Sequence, residues 1–161
     1  MENFRASNQI VYHKGFYNQS DPINSLRKIL YQDFFPVPKD EEFPYTWACD
    51  LLMGSCHLFA LALKQIFNYT PYIIEPNHKR GFHVFCEIYK NGQWYYIDAR
   101  GITTSFNEFM EVAKIFVTDE YSIRPIEQSD IDKWNNDDNY VKEGKAFAEK
   151  VIKKYKAFYE L

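Results

Sequence analysis

The sequence predicts an α+β fold, and three observations carry that prediction. From Ser55 to Asn68 apolar residues recur at helical spacing, and from Tyr69 to Arg100 three strand-like runs follow, the last two joined by Asn91-Gly92. The segment from Val141 to Leu161 is lysine-rich and amphipathic.

The elements follow in order. The first twenty residues are polar with scattered rings and have no clear period, which suits a loose arm or an edge strand. Asp21-Pro22 reads as an N-cap followed by proline at the first helical position, and Ile23, Leu26, Ile29 and Leu30 share one face of a helix reaching about Gln32. Pro36, Pro38 and Pro44, with Asp40-Glu41-Glu42 between them, predict a long surface loop of the kind that borders a site. In the next helix Phe59, Ala60, Leu63 and Phe67 form the buried face. Strands are expected over Tyr69 to Glu75, Phe82 to Tyr89 and Gln93 to Arg100. Ser105-Phe106-Asn107-Glu108 is a capping box opening a helix to about Lys114. Ile115 to Val117 and Tyr121 to Ile126 are further strand candidates, and Ser129 caps a short helix. The last helix turns Phe147, Val151, Tyr155 and Phe158 to one side.

Composition narrows the class. With 161 residues, 46% of them hydrophobic and 25% charged, the chain suits one domain with a real core. The core region is expected over about 45–127, with a helical extension over about 128–161. Thirteen Tyr and 14 Phe against 6 Gly and 7 Pro imply an interior built on ring packing. A formal net charge of −3 argues against a protein whose main task is neutralising phosphates, so no nucleic-acid partner is expected. No apolar run reaches about 18 residues and Met1 to Tyr12 is polar, so neither a membrane span nor a signal peptide is expected, and the site of synthesis is the cytoplasm. Three cysteines, Cys49, Cys56 and Cys86, cannot all pair internally, which fits a reducing compartment.

A two-residue turn at Asn91-Gly92 sets Lys90 opposite Gln93, so paired residue numbers sum to about 183 along the hairpin. His83, Phe85, Glu87 and Tyr89 then share a face with Trp94, Tyr96, Asp98 and Arg100, and Val84, Cys86 and Ile88 share the other with Tyr95, Ile97 and Ala99. His83 and Asp98 become diagonal neighbours, within reach of a hydrogen bond by rotamer choice. Cys56 opens the apolar helix, where unpaired N–H groups and the positive end of the helix dipole lower a thiol pKa. Cys56, His83 and Asp98 would supply a nucleophile, a base and an orienting acid. Cys86 falls on the core face. Cys49, Cys56, His57, His83 and Cys86 form a dense Cys/His set, but His83 and Cys86 point to opposite faces and Cys56 and His57 diverge by about 100°, so no metal and no cofactor are expected. His13 and His78 read as solvated loop histidines.

Taken together, Gly54-Ser55-Cys56-His57-Leu58-Phe59-Ala60, His83-Val84-Phe85-Cys86-Glu87 and Gln93-Trp94-Tyr95-Tyr96-Ile97-Asp98 resemble the core of the transglutaminase-like superfamily, a branch of the papain-like cysteine enzymes. Its members typically carry Gly-Gln-Cys-Trp at a helix start, a His-Val-Trp-x-Glu strand and a Trp-x-x-x-Asp strand, in that order. The resemblance covers Gly54 to about Gly101. Ser55 replaces the usual Gln and His57 the usual Trp, which weakens any implication of protein cross-linking. The resemblance implies a papain-like core, with a helix carrying the cysteine packed on an antiparallel sheet and extra helices at the C-terminus.

It also implies chemistry at an acyl carbon, by a peptidase, deamidase, amide hydrolase or acyltransferase with a protein or peptide amide substrate. Cys56 thiolate would attack the carbonyl while His83, polarised by Asp98, protonates the leaving amine. The Cys56 N–H is one oxyanion donor, and the loop of Tyr45, Thr46 and Trp47 is a source of the second. Trp47, Ser55 and Tyr96 are the candidates on the oxyanion and substrate side; Asp50 occupies the place where papain-like enzymes keep a glutamine. The alternative is a catalytically inactive module whose aromatic hairpin face binds a protein or small ligand. Lys142, Lys145, Lys150, Lys153, Lys154 and Lys156 could contact an acidic partner, although Glu143, Glu149 and Glu160 dilute that field.

Overall fold

A computed structural model describes residues 10–34, 51–52, 55–77, 82–117, 120–135 and 138–161. The chain is α+β, and its strands form one antiparallel sheet. They are β1 (His13–Gly15), β2 (Pro71–Pro76), β3 (His83–Lys90), β4 (Gln93–Asp98), β5 (Gly101–Thr103) and β6 (Tyr121–Pro125), in the spatial order β1-β5-β4-β3-β2-β6. The helices are α1 (Pro22–Phe34), α2 (Cys56–Phe67), α3 (Phe106–Phe116), α4 (Gln128–Trp134), α5 (Asp138–Lys154) and α6 (Lys156–Tyr159), with a 3₁₀ turn at Phe16–Asn18. No helix among the described residues is long and apolar enough to cross a membrane.

The central hairpin has the register read from its turn: Lys90 pairs with Gln93, Glu87 with Tyr96 and Cys86 with Ile97. Asn91 and Gly92 both take positive φ, 53° and 76°, the backbone of a type I′ turn whose twist matches the strands it joins. Alternation along β3 and β4 then feeds two cores. Val84, Cys86, Ile97 and Ala99 pack with Phe59, Ala60 and Leu63 of α2 and with Ala148, Val151 and Ile152 of α5. Phe85 and Tyr96 pack with Phe106, Phe109 and Met110 of α3. Both faces of the hairpin are therefore covered, and a fully buried ring such as Phe109 contributes roughly 2–3 kcal/mol to holding α3 down.

Several boundaries differ from the sequence expectation, each for a physical reason. The strand expected to run to Arg100 stops at Asp98, whose carboxylate accepts the Arg100 backbone N–H at 2.9 Å and turns the chain into β5. Arg100 is consequently not the strand partner of His83. Ile115 to Val117 is not a strand: the helix capped by Ser105, whose side chain accepts from the Glu108 N–H, continues to Phe116 and leaves Ile115 56% exposed on its outer face. The cap of α4 is Glu127, paired in a capping box with Asp130, and Ser129 lies inside the helix. The C-terminal helix begins at Asp138 and breaks at Tyr155 before α6. The N-terminal arm supplies β1 as an edge strand on β5, with His13 opposite Thr103. His13 is thus no loop residue, and its Nε2 meets the Glu108 carboxylate. The proline-rich loop, Cys49 and His78 lie outside the described residues.

Candidate active site

Cys56 is the first residue of α2. Ser55 precedes it as N-cap and offers its carbonyl to the Leu58 and Phe59 N–H groups at 2.9 and 3.1 Å. A residue at this position keeps its own N–H outside the intrahelical ladder and feels the positive end of the dipole. The helix start lies over the beginning of β3, where the Val84 N–H donates to Cys56 Sγ at 3.4 Å. His83, the first residue of β3, sits beside that contact.

The diagonal relation of His83 and Asp98 closes as a hydrogen bond, Nε2 to Oδ2, at 3.1 Å. The other ring nitrogen, Nδ1, is buried and has no hydrogen bond of standard geometry among the described residues. The Cys56 thiol and the His83 ring are electrostatically coupled. Burial raises the Cys56 pKa, but His57, His83 with its charge and the Val84 N–H outweigh it and bring the thiol down to about 6. For His83, burial lowers the pKa, but hydrogen bonds to Asp98 and Cys56 and their negative charges raise it to about 9. Between those values the pair is thiolate and imidazolium.

Asp98 has partners that the sequence reading gave no role. Arg100 folds back from the turn to donate Nη2 to Oδ2 at 2.6 Å and Nε to Oδ1 at 3.1 Å. The Tyr17 hydroxyl, from the 3₁₀ turn, lies 3.3 Å from both carboxylate oxygens. Burial alone would push the Asp98 carboxyl up, yet the Arg100 charge and the hydrogen bonds from His83 and Arg100 hold it well below the carboxylate range. The signal for Arg100 was its place two residues after Asp98, on the same side of an extended chain. Tyr17 lies 81 residues away and has no local signal. His57 was also missed. Adjacent helical side chains diverge, yet its ring is close enough to Cys56 to favour the thiolate, and it rests on Trp134 at 5.0 Å between centroids.

The structure thus brings Cys56, His83 and Asp98 together and buries all three, at 3%, 0% and 2% exposure. Ser55 is buried beside Cys56 as the helix N-cap. Tyr96 shares the hairpin face of Asp98, stacked on Phe109 at 5.0 Å between centroids and tilted against Phe106 at 5.4 Å. Trp47, like Tyr45, Thr46, Asp50 and Gly54, lies outside the described residues. Among the described residues no group of His, Cys, Asp and Glu side chains is arranged to hold a metal ion. A cavity of about 310 Å³ is lined by Tyr17 and Arg100 together with Asp21, Ile23, Glu108 and Glu111, and Cys56, His83 and Asp98 are not in its wall. No protein-family model, curated protein or solved structure matches the chain.

Proposed function

We propose that the chain is a cysteine-dependent enzyme acting on an amide or peptide acyl carbon through a thioester, on a papain-like core similar to that of the transglutaminase-like superfamily. One observation carries this reading: His83 accepts orientation from Asp98 through Nε2 at 3.1 Å while the thiol at the start of α2 and the ring depress and raise each other's pKa. A cysteine buried only for packing behaves as Cys86 does, where burial drives the pKa upward.

In the forward half of the reaction the Cys56 thiolate attacks the acyl carbon and a C–S bond forms. His83 gives its Nδ1 proton to the departing nitrogen, the C–N bond breaks, and a thioester remains. Water or an amine then attacks the thioester, His83 takes up the incoming proton, and the C–S bond breaks to return thiolate and imidazolium. The oxyanion of each tetrahedral intermediate needs donors that are already aimed at it; the Cys56 N–H at the helix start is one. Hydrolysis of a side-chain amide makes the enzyme a deamidase, of a main-chain amide a peptidase, and capture by an amine an acyltransferase.

The test has two arms. Alkylation by iodoacetamide, mapped by peptide mass, is expected on Cys56 at a rate that holds well below pH 7, with Cys86 unmodified in the folded protein. Incubation with glutamine-containing proteins, read by intact mass, is expected to give a gain of about 1 Da, fragments or amine adducts, all abolished in Cys56→Ala. A rate rising with one pKa near 8.5 defeats the enzymatic reading. A catalytically silent binding module is the second reading, favoured by the burial of all three residues. It expects Cys56 to alkylate no faster than an ordinary thiol, with no mass change in the proteins offered.

A further inference from the structure

We propose that Arg100 and Tyr17 are positioning residues: together they fix the Asp98 carboxylate so that it accepts from His83 Nε2 and holds the His83 ring in one orientation. The inference rests on the thiol chemistry proposed above and extends it to two side chains outside the matched motifs. A single contact to an imidazole leaves a carboxylate free to swing about its own side-chain torsions. Here Oδ1 accepts from the Arg100 N–H at 2.9 Å and from Nε at 3.1 Å, and Oδ2 accepts from Arg100 Nη2 at 2.6 Å as well as from His83. Tyr17 O–H, 3.3 Å from each oxygen, closes the remaining side.

The clamp is itself anchored outside the hairpin. Arg100 Nη1 donates to the Glu108 carbonyl at 3.2 Å and Nη2 to the Phe109 carbonyl at 2.8 Å, both at the start of α3, and its guanidinium lies 4.7 Å from the Tyr17 ring centroid. Asp98 therefore takes its direction from α3 and the 3₁₀ turn as much as from β4. Besides its charge, Asp98 offers His83 direction: a carboxylate held at Nε2 fixes the tautomer and the ring plane. Tyr17 and Arg100 also line the cavity of about 310 Å³, whose wall includes neither Asp98 nor His83. The ionisable groups facing the carboxylate are His83 from β3, Arg100 from the turn and Tyr17 from the 3₁₀ turn, with Glu108 of α3 beyond Arg100.

The experiment is the rate of Cys56 alkylation by iodoacetamide from about pH 5 to 10, read by mass, in the unaltered chain, Tyr17→Phe, Arg100→Lys and Asp98→Asn. Circular dichroism checks that each is folded. The first two substitutions conserve charge, so movement of the profile reports geometry. Each is expected to raise the lower apparent pKa by about one unit, read as about a threefold loss of rate at pH 6.5. Tyr17→Phe added to Asp98→Asn is expected to cause no further shift, since both act through one carboxylate. A Tyr17→Phe profile that stays put while Asp98→Asn moves overturns the positioning role and leaves the thiol reading standing. If Arg100→Lys does not fold, Tyr17→Phe decides alone, because it removes one hydroxyl and buries no new charge. A single limb near 8.5 in the unaltered chain overturns both readings.

Discussion

Cys56 and Cys86 are both buried, at 3% and 0% exposure, and they titrate in opposite directions. Cys86 meets a carbonyl, donating to Ala60 O at 3.5 Å, and burial, helped by the Asp98 charge, drives its pKa up. Cys56 meets a helix start, an N–H and two imidazoles, and they outweigh the same burial. A consequence for stability follows from the proton balance. The Cys56 pKa falls from 9.0 to about 6 on folding, so its contribution is present above the unfolded value and lost as pH drops through 6. The His83 pKa rises from 6.5 to about 9, so its contribution is present below 6.5 and lost as pH climbs through 9. Between about 6.5 and 9 one gains what the other loses, because the folded pair only moves a proton from sulfur to ring. The urea midpoint is therefore expected to change little with pH across that window, at a time when Cys56 alkylation is at its plateau. Asp98 acts at the other end: its carboxyl is depressed, so its contribution is lost as pH falls below about 4, and acid unfolding should begin there. A midpoint falling steadily from pH 7 to 9 would mean that the pair does not exchange its proton internally. Cys56, His83 and Asp98 were legible in sequence because a helix start and a two-residue turn fix them locally. Tyr17 and His57 were not, since one depends on where β1 docks and the other on the rotation of a neighbouring helical side chain.

At the scale of elements, the hairpin register could be read from Asn91-Gly92, and the faces of β3 and β4 came with it. What could not be read was the end of β4. Ile97 to Arg100 carries no proline and no turn dipeptide, and the chain turns there because Asp98 accepts the N–H of Arg100 two residues on. The clue was Gly101. At φ 114° it takes a backbone conformation that side chains disfavour, and a Cβ there would stand 2.1 Å from the Lys14 carbonyl oxygen of β1. Gly101→Ala is expected to cost roughly 2–4 kcal/mol, from backbone strain and from pushing β1 off β5. Since Tyr17 N–H donates to the Arg100 carbonyl at 3.1 Å directly after β1, the same substitution should loosen the clamp on Asp98. Urea unfolding measures the first effect and the alkylation profile the second. A variant of unchanged stability would show that β1 can yield to a methyl group without loss.

The whole molecule hangs on one sheet shared by two cores. The α+β class was readable because helical and strand periods differ in kind, but a second core on the His83 face was not. That α3 would close over that face was not readable, because Ser105 to Glu108 announces a helix without saying where it packs. In β3 successive residues serve different cores: Val84 and Cys86 one, Phe85 the other. Neither core can be lost while β3 stays paired, so unfolding is expected to be one cooperative transition. Two tryptophans can report it separately, since Trp134 packs against the core of α2 and α5 and Trp94 against the core of α3. With Trp47 also changed to Phe, the fluorescence change in Trp134→Phe reports the α3 side, and in Trp94→Phe the other. Urea curves from each variant should superimpose on the same variant's far-ultraviolet circular dichroism, and alkylation of Cys86, fully buried in the folded protein, should begin at the same midpoint. An early Trp94 transition with Cys86 still protected would mean that α3 lifts from the sheet on its own, taking the Glu108 and Phe109 carbonyls away from Arg100 before the fold is lost.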